Sequence, residues 1–367
     1  MGACAWDNFH ANQTDRGLYE ANPMNSTIYS ERLGPITDEQ FAAAASRLGL
    51  GVFQSATPTS AGMFGQNVFI RTTQGEFVLR GAPHWVKGPG ETDYRPQDRW
   101  QFAKEAFFAR LLHERTAAPA PWPYLLDEAS DIFGWPYAVM PRMPGACYDE
   151  RSVPEALAPQ DRRDVAAAMG SMLAEMQTLT SPFAGDVDVD TIALTPDPAG
   201  YAEFVITQTR GCAASAEANG AMTAGDLAWI EDAMRAARAQ PERANVFVHS
   251  DYKLNNVTVA REGGRWRVSG VFDLHTARFG DGAHDLARQT CSYLDTEPAL
   301  ARVFVDAYRS LLPNGGDLGT CMPLYLVAER LMIWTFFVRA GSRPAWSRGK
   351  TFRDWTEPYL AAVLGLL

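Results

Sequence analysis

The sequence predicts an α+β fold with two lobes, a small β-rich N-lobe followed by a larger and mainly helical C-lobe. Three observations lead to this prediction. Short strand-like segments dominate the chain between residues 51 and 80. A break with the sequence PRMPG follows at 141–145 and has the composition of a linker. Beyond this break the chain shows helical periodicity, interrupted by strand-type residues between 246 and 272.

The bulk composition is that of a globular enzyme with enough chain for two lobes. The 367 residues are 46% hydrophobic and 21% charged, and the formal net charge is -10. Such an acidic chain repels phosphate backbones and anionic lipid, so we expect neither nucleic acid nor membrane as a partner. The sequence carries no signal for the oligomeric state.

The cysteines and the N-terminus indicate a reducing cytoplasm. The five cysteines are scattered, odd in number and without a C-x-x-C pair, which excludes a disulfide framework and a zinc knuckle. The N-terminus has neither the basic nor the apolar region of a secretion signal. The apolar stretch at 324–340 contains Glu329, Arg330 and Arg339, so it is predicted to be a core helix and not a membrane span.

The N-lobe is predicted to extend from residue 36 to residue 140, after an N-terminal extension at 1–35 to which no role is assigned. Thr37 and Gln40 have the spacing of a capping box, which predicts a helix beginning there. Strand-type residues at 51–55, 67–72 and 75–80 follow, and the short connection between the last two predicts a hairpin. A helix is predicted at 97–114, and further strands near residue 124 and at 137–140.

The C-lobe is predicted to occupy residues 146–367, after a hinge at 141–145. Helices are expected at 160–179, 201–216 and 224–239. One compact β insert interrupts them, with strands at 246–249, 257–260 and 265–272. A Gly263-Gly264 turn joins the last two strands.

The segment HSDYKLNN at 249–256, followed by VFD at 271–273, has the residues that phosphoryl transfer requires. Such chemistry needs one carboxylate to orient the attacking hydroxyl and accept its proton. It also needs a second carboxylate and an amide to hold magnesium against the phosphates. Asp251 and Asn256 come from one loop, and the hairpin returns the chain so that Asp273 can face them. The pattern therefore predicts magnesium-dependent phosphoryl transfer.

These residues resemble the aminoglycoside phosphotransferase family, which shares the protein-kinase-like fold. The GDGAHDLA run at 280–287 is similar to the G-D-x-x-x-D-L-A element of that family. The resemblance extends from about residue 50 to the C-terminus. It implies a catalytic base at Asp251, magnesium ligands at Asn256 and Asp273, and structural support from His249 and Asp285.

The N-lobe resembles the nucleotide-binding elements of the same family. The patterns G-x-N-x-F at 65–69 and G-x-F-V-L-R at 75–80 are similar to its nucleotide-covering hairpin and third strand. The resemblance implies that Arg80 contacts the α- and β-phosphates with Glu105 as its ion-pair partner, and that 139–143 form the hinge over the base. The implied nucleotide contacts, to ATP or GTP with Mg²⁺, are those of Arg80, Glu105, Gly65, Asn67, Met140 and Met143.

Three positions depart from the family pattern. Ser250 replaces the usual glycine, and Leu274-His275 stand where the family often has an aromatic residue and then glutamate. His275 can be a substrate contact or a packing residue. Lys253 matches a phosphate-contacting lysine of many protein kinases, and by hypothesis it helps to neutralise the transferring phosphoryl group.

A second acidic feature, the Asp186-Asp188-Asp190 alternation, can attract a cationic substrate or can be a solvated loop. It does not by itself choose the substrate.

The resulting functional hypothesis is a small-molecule kinase that phosphorylates a hydroxyl of an antibiotic-like or metabolite acceptor, with a role in antibiotic resistance. The alternatives are a nucleotide-binding pseudokinase and a housekeeping sugar or amino-alcohol kinase. A protein kinase is disfavoured, because the chain from Asp273 to Asp285 is too short for an activation loop. The sequence identifies neither the acceptor nor which of the two nucleotides, ATP or GTP, is used.

Overall fold

The computed structural model describes residues 28–30, 33–59, 67–81, 86–88, 91–92, 100–149, 153–312, 317–339 and 347–367. Gly65, implied as a nucleotide contact, lies outside these residues, as does most of the predicted extension at 1–35. Among the described residues, no helix combines the length and the apolar character needed to cross a bilayer.

The N-lobe is built on a five-stranded antiparallel sheet with the strand order β3-β4-β5-β9-β8. The β4-β5 hairpin forms as predicted, with Thr72 opposite Gly75. The elements of this half of the chain are β1 (Ile28–Ser30), β2 (Gly34–Pro35), α1 (Asp38–Arg47), β3 (Phe53–Pro58), β4 (Asn67–Thr72), β5 (Gly75–Gly81), β6 (Val86–Gly88), β7 (Glu91–Thr92), α2 (Trp100–Arg115), β8 (Leu125–Asp127) and β9 (Tyr137–Pro141).

Helix α1 begins at the predicted capping box. The Thr37 side chain accepts a hydrogen bond from the amide of Gln40, and the Gln40 side chain accepts one from the amide of Thr37. Ile36 and Phe41, on either side of the cap, are both buried in the N-lobe core with Ile70. The apolar face of α1 thus covers one face of the sheet.

Helix α2 packs its apolar side chains into the core of the helical lobe. Phe108 is fully buried, and its ring lies edge-on to that of Phe247 with centroids 5.6 Å apart. Met140, at the end of β9, joins the same core. The helix that carries Glu105 is therefore held by the C-lobe as well as by the N-lobe.

The C-lobe is mainly helical, as predicted. Its elements are α3 (Val153–Ala156), α4 (Pro159–Met176), β10 (Thr180–Ser181), β11 (Gly185–Asp188), β12 (Ala193–Pro196), α5 (Gly200–Ala218), α6 (Ala224–Arg238), β13 (Asn245–Val248), β14 (Val257–Glu262), β15 (Arg265–Val271), β16 (Arg278–Gly280), α7 (Ala283–Thr296), α8 (Pro298–Ser310), α9 (Met322–Arg339) and α10 (Phe352–Leu364).

The single β insert predicted for the C-lobe is wrong in one respect. Among the described strands, β14 and β15 form a separate two-stranded sheet, whereas β13 belongs to a five-stranded sheet with the order β10-β13-β16-β11-β12. Strand β11 contains Asp186 and Asp188, and Val187 between them is buried. The alternation of acidic and apolar residues is thus a strand with one buried face, a period-2 pattern that the presence of three aspartates obscured.

Candidate active site

The loop after β13 is fixed by the carboxylate of Asp285, the third residue of α7. The amides of His249 and Ser250 donate hydrogen bonds of 2.7 and 2.8 Å to its two oxygens. Asp285 is fully buried, and burial raises the pKa of its carboxyl above the ordinary value although His249 and the two amides oppose the shift. Asp285 thus connects α7 to the loop through one buried and one partly buried hydrogen bond.

The imidazole of His249 joins this loop to the end of β15. Its Nε2 lies 3.0 Å from the carbonyl oxygen of Phe272, which can only accept, so Nε2 carries the proton. Its Nδ1 then accepts a hydrogen bond of 3.4 Å from the amide of Asp251. One buried ring thereby sets the distance between the loop that carries Asp251 and the segment that carries Asp273.

Ser250 has φ +66°, a left-handed conformation that explains why glycine is usual at this position. The left-handed region costs a residue with a side chain about 1–2 kcal/mol, and glycine costs about 0.5–1 kcal/mol of extra unfolded-state entropy. We therefore expect Ser250→Gly to raise the free energy of unfolding in urea by about 0.5–1 kcal/mol. Ser250→Ala is the matched control and should not stabilise. A Gly variant less stable than the Ala variant would contradict this account.

All four acceptor positions of the Asp251 carboxylate are used. Arg288 donates to Oδ1 through Nε at 3.1 Å and Nη2 at 2.8 Å. Oδ2 accepts from Lys253 Nζ at 2.7 Å and from Asn256 Nδ2 at 3.0 Å. Burial raises the pKa of Asp251, but the charges of Arg288 and Lys253 outweigh it, and the pKa lies below its ordinary value. The group is therefore an ionised carboxylate at neutral pH.

Asn256 is oriented so that its amide oxygen is available to a cation. Its Nδ2 donates to both the backbone oxygen and the carboxylate of Asp251, at 2.9 and 3.0 Å. This fixes the amide, and Oδ1 accepts no hydrogen bond from the described residues. An amide oxygen and the carboxylate of Asp273 are hard oxygen donors of the kind that Mg²⁺ prefers. The residues present therefore fit the magnesium ion that the resemblance implies.

Arg80 pairs with both acidic residues across the cleft. Its Nη2 lies 3.0 Å from Oε1 of Glu105 and 2.9 Å from Oδ1 of Asp273. Tyr124 adds a short hydrogen bond from its hydroxyl to the other oxygen of Glu105. The Nε of Arg80 is buried and meets no acceptor among the described residues. A charged donor is thus held in the cleft with one N–H unsatisfied.

His275 lies against the same acidic pair. Its Nδ1 is 2.9 Å from Oδ1 of Asp273 and 3.8 Å from Oε1 of Glu105. Burial lowers the pKa of His275, but Asp273 outweighs burial and the pKa is raised, while that of Asp273 is held well below its ordinary value by His275 and Arg80. Potential metal-ligand atoms of Glu105, Asp273 and His275 lie within 4.8 Å of one another. The positive charge between the two carboxylates is supplied by the guanidinium of Arg80.

The remaining predicted nucleotide contacts lie around the hinge and the hairpin. Asn67 pairs with Arg80 across β4 and β5, and its Oδ1 is buried without a hydrogen-bond partner in the described part of the chain. The side chain of Met140 is buried in the larger core, whereas Met143 packs over Gly270. A contact from Met140 to a nucleotide would therefore have to come from its backbone.

Two residues near Asp251, Arg288 and Glu329, were not predicted from the sequence. Arg288 contacts the carboxylate directly, and Oε2 of Glu329 lies 3.4 Å from Nη1 of Arg288. Arg288 stands three residues after Asp285 on the same helix, so it shares a face with a predicted site residue. That spacing was a usable signal, whereas Glu329 lies on α9 and no local pattern connects it to the loop.

The predicted acidic alternation also contributes to the architecture. Asp186 pairs with the buried Lys104 of α2 at 2.7 Å, which connects the helix carrying Glu105 to the C-lobe. Asp188 accepts hydrogen bonds from the amides of Asp190 and Thr191 in the β11-β12 turn.

The fold is similar to that of antibiotic-modifying kinases. A Ralstonia eutropha protein classed as an aminoglycoside phosphotransferase matches with a TM-score of 0.58 and 17% identity, covering 90% of this chain and 97% of that one. The GDP complex of wild-type aminoglycoside 2'-phosphotransferase-IIIa matches with a TM-score of 0.56 and 13% identity over 90% and 98%. A macrolide 2'-phosphotransferase from Brachybacterium faecium matches with a TM-score of 0.52 and 18% identity, covering 88% of this chain and 97% of that one.

The family is established by the sequence itself. No curated protein matches the chain significantly, but the profile of the phosphotransferase enzyme family matches residues 55–321. This span contains both Arg80 and Asp285, and it ends before α10. The predicted bilobal, protein-kinase-like fold is confirmed by the structural neighbours. The chain therefore belongs to the phosphotransferase enzyme family.

Proposed function

We propose that this protein is a small-molecule kinase that transfers the γ-phosphoryl group of ATP or GTP to a hydroxyl of an antibiotic-like or metabolite acceptor. The observation that supports it most is the presence, in one cleft, of two ionised carboxylates with different partners. Asp251 is oriented by Asn256 and two cations, whereas Asp273 faces Arg80 from the N-lobe. This division matches the base and the metal ligand that phosphoryl transfer needs.

The unsatisfied donor of Arg80 supports a phosphate ligand at this place. A buried N–H without an acceptor costs about 1–3 kcal/mol, more for a charged group, so such donors are rare unless a ligand completes them. A phosphate oxygen of the nucleotide would satisfy Nε of Arg80. The Glu105 carboxylate, fixed by Tyr124, holds the guanidinium in the cleft.

In the proposed reaction the protein orients the hydroxyl and removes its proton. Mg²⁺, held by Asn256 and Asp273, would supply positive charge to the phosphate oxygens. The acceptor hydroxyl donates to Oδ2 of Asp251, which takes the proton as the new O–P bond forms and the nucleoside diphosphate departs. Lys253, which donates to Oδ2 at 2.7 Å, would turn toward the transferring phosphoryl group in this reaction.

A screen of acceptors tests this proposal. Purified full-length protein would be supplied with Mg²⁺ and either ATP or GTP, and nucleotide consumption followed with aminoglycosides, macrolides, nucleoside and peptide antibiotics, choline and simple sugars. Aminoglycosides come first, because neighbouring structures hold hygromycin B and kanamycin. At least one acceptor should raise consumption above the rate with water. Nucleotide binding without turnover for any acceptor, water included, would instead favour the pseudokinase alternative.

The cytoplasm is the proposed site of action. Cys147, Cys291 and Cys321 form no disulfide within the described part of the chain, and burial raises the pKa of Cys291 and Cys321 to about 12 each and that of Cys147 to about 11. Thiols in this state fit a reducing compartment.

Lys253→Ala tests the proposed role of this lysine. We expect a kcat about 100-fold lower, the lower end of the loss for one transition-state donor in other enzymes, because one positive charge near the phosphoryl group is removed. Lys253 remains partly exposed and Asp251 keeps its ion pair with Arg288 in the variant, so the melting temperature should change little. Lys350→Ala, at an exposed position of the same lobe, is the control. An unchanged kcat in Lys253→Ala would exclude the role.

A further inference from the structure

The guanidinium of Arg288 holds one oxygen of the Asp251 carboxylate from helix α7. Both Nε and Nη2 donate to Oδ1, at 3.1 and 2.8 Å. Two N–H groups of a rigid, planar fork that converge on one oxygen define its direction more closely than a single ammonium on a flexible stem can. Arg288 and Lys253 both place positive charge beside Asp251, but Arg288 in addition defines the direction of Oδ1.

Arg288 is itself held from behind by Glu329 on α9. Its Nη1 lies 3.4 Å from Oε2 of Glu329, an ion-pair contact longer than a good hydrogen bond. The other oxygen of Glu329 is 3.0 Å from Nε2 of His284, and Nδ1 of that ring is 2.7 Å from the hydroxyl of Tyr201. Because a carboxylate only accepts, Nε2 carries the proton and Tyr201 donates to Nδ1.

Burial makes this arrangement specific to arginine at position 288. Glu329 is 4% exposed, and a buried carboxylate is tolerated only when a cation or several donors compensate it. His284 supplies one donor, and Arg288 supplies the charge. One guanidinium is thus shared between a buried carboxylate behind it and the Asp251 carboxylate in front of it.

The arrangement matters once Lys253 leaves Asp251. If Lys253 turns to the phosphoryl group, Oδ2 keeps only Asn256 and gains a free position for the acceptor hydroxyl. The carboxylate would then be free to rotate about its Cβ–Cγ bond unless Oδ1 stays fixed. Only Arg288 contacts that oxygen among the described residues.

We propose that Arg288 is a positioning residue, which orients Oδ2 of Asp251 toward the acceptor hydroxyl, and that Glu329 acts through Arg288 by holding its guanidinium in place. In the step it serves, the O–H bond of the acceptor breaks, its proton passes to Oδ2, the new O–P bond forms, and the bond to the departing nucleoside diphosphate breaks. This inference rests on the proposed kinase function.

The test compares Arg288→Met, Arg288→Lys and Glu329→Gln in the full-length protein, with Arg235→Met at an exposed helix position as the control. The probes are Mg²⁺ with ATP or GTP and the acceptor that gives turnover in the screen, with water as acceptor if none does. Displacing a catalytic group by about 1 Å can cost about a hundredfold in rate. We expect Arg288→Met to lower kcat by about 10- to 100-fold while the KM for nucleotide changes less than about twofold, because the ion pairs of Arg288 among the described residues are with Asp251 and Glu329 and not with the proposed nucleotide contacts.

The conservative variant separates geometry from charge. Arg288→Lys keeps the charge but not the fork, so it should recover only part of the loss. Glu329→Gln should lower kcat several-fold alone and have no further effect in the Arg288→Met background. A Lys variant equal to wild type, or additive losses from the two sites, would overturn the proposal. If Arg288→Met does not fold, Arg288→Lys decides in the same way.

Failure of this inference differs from failure of the proposed function. A wild-type protein without turnover for any acceptor, water included, would overturn the kinase function and with it any catalytic role of Arg288. An active wild type, an inactive Asp251→Asn variant and an Arg288→Met variant with wild-type kcat would overturn the inference alone.

Discussion

Replacing Asp251 by asparagine is expected to lower kcat for phosphoryl transfer by about 10²- to 10⁴-fold, the range typical of a lost general base. An amide oxygen can still accept from Arg288, but the amide has no basic site for the proton of the acceptor hydroxyl. The carboxylate is suited to the task because Arg288 and Lys253 keep it ionised despite its burial. The measurement is the steady-state rate with Mg²⁺, nucleotide and acceptor.

Asp232→Asn, at an exposed position of helix α6, is the matched control for this variant. It should retain the wild-type rate, and both proteins should show wild-type circular dichroism. The KM for nucleotide should stay close to wild type in Asp251→Asn, because Arg80 and Asp273 are unchanged. A variant that keeps more than a tenth of the rate would remove Asp251 as the base.

Replacing Asp285 by alanine should lower the free energy of unfolding by about 3–5 kcal/mol, since hydrogen bonds to a charged group contribute about 1.5–3 kcal/mol each. The change leaves the amides of His249 and Ser250 buried without an acceptor. It also removes the contact that holds Ser250 in its left-handed conformation. Urea denaturation followed by circular dichroism measures this effect.

Because the pKa of Asp285 is raised in the folded protein, Asp285→Asn should have a smaller effect on stability than Asp285→Ala. Because the carboxyl is more easily protonated in the folded protein, its ionised form is partly penalised by burial at neutral pH. Asp285→Asn avoids that penalty and keeps one acceptor, but its amide N–H₂ meets a backbone N–H. We therefore expect Asp285→Asn to lower the free energy of unfolding, but by less than Asp285→Ala does. A loss below about 1 kcal/mol in Asp285→Ala would mean that the two amides find other partners, and Asp232→Ala is the control for a solvated aspartate.

Local elements were predicted well because their determinants lie within a few residues of one another. The capping box at Thr37 and Gln40 and the β4-β5 hairpin form as the sequence indicates. The short strands β10 to β12 were not predicted, because strands of two to four residues show little periodicity. Strand β10 pairs with β13 and β11 pairs with β16, both far along the chain, whereas β12 pairs with β11.

In the candidate site, too, contacts between residues close in sequence were predicted, whereas one contact between the lobes was not. The H-x-D-x-x-x-x-N spacing determines that Asp251 and Asn256 share a loop, and the structure joins them directly through the Asn256 amide. The predicted partnership of Arg80 with Glu105 is present as an ion pair. The contact of Arg80 with Asp273, across 193 residues, depends on how the two lobes meet.

By itself the sequence determined the family, the two-lobed fold class and which residue types share the loop at 249–256, since these depend on residue type and on spacing along the chain. Only the tertiary structure decided which groups surround Asp251. Arg288 and Glu329 come from helices α7 and α9, and they meet at the loop because those helices pack together in the C-lobe core. Hydrogen bonds and ion pairs act over a few ångströms in space, so distant segments reveal their partnership only once the chain has folded.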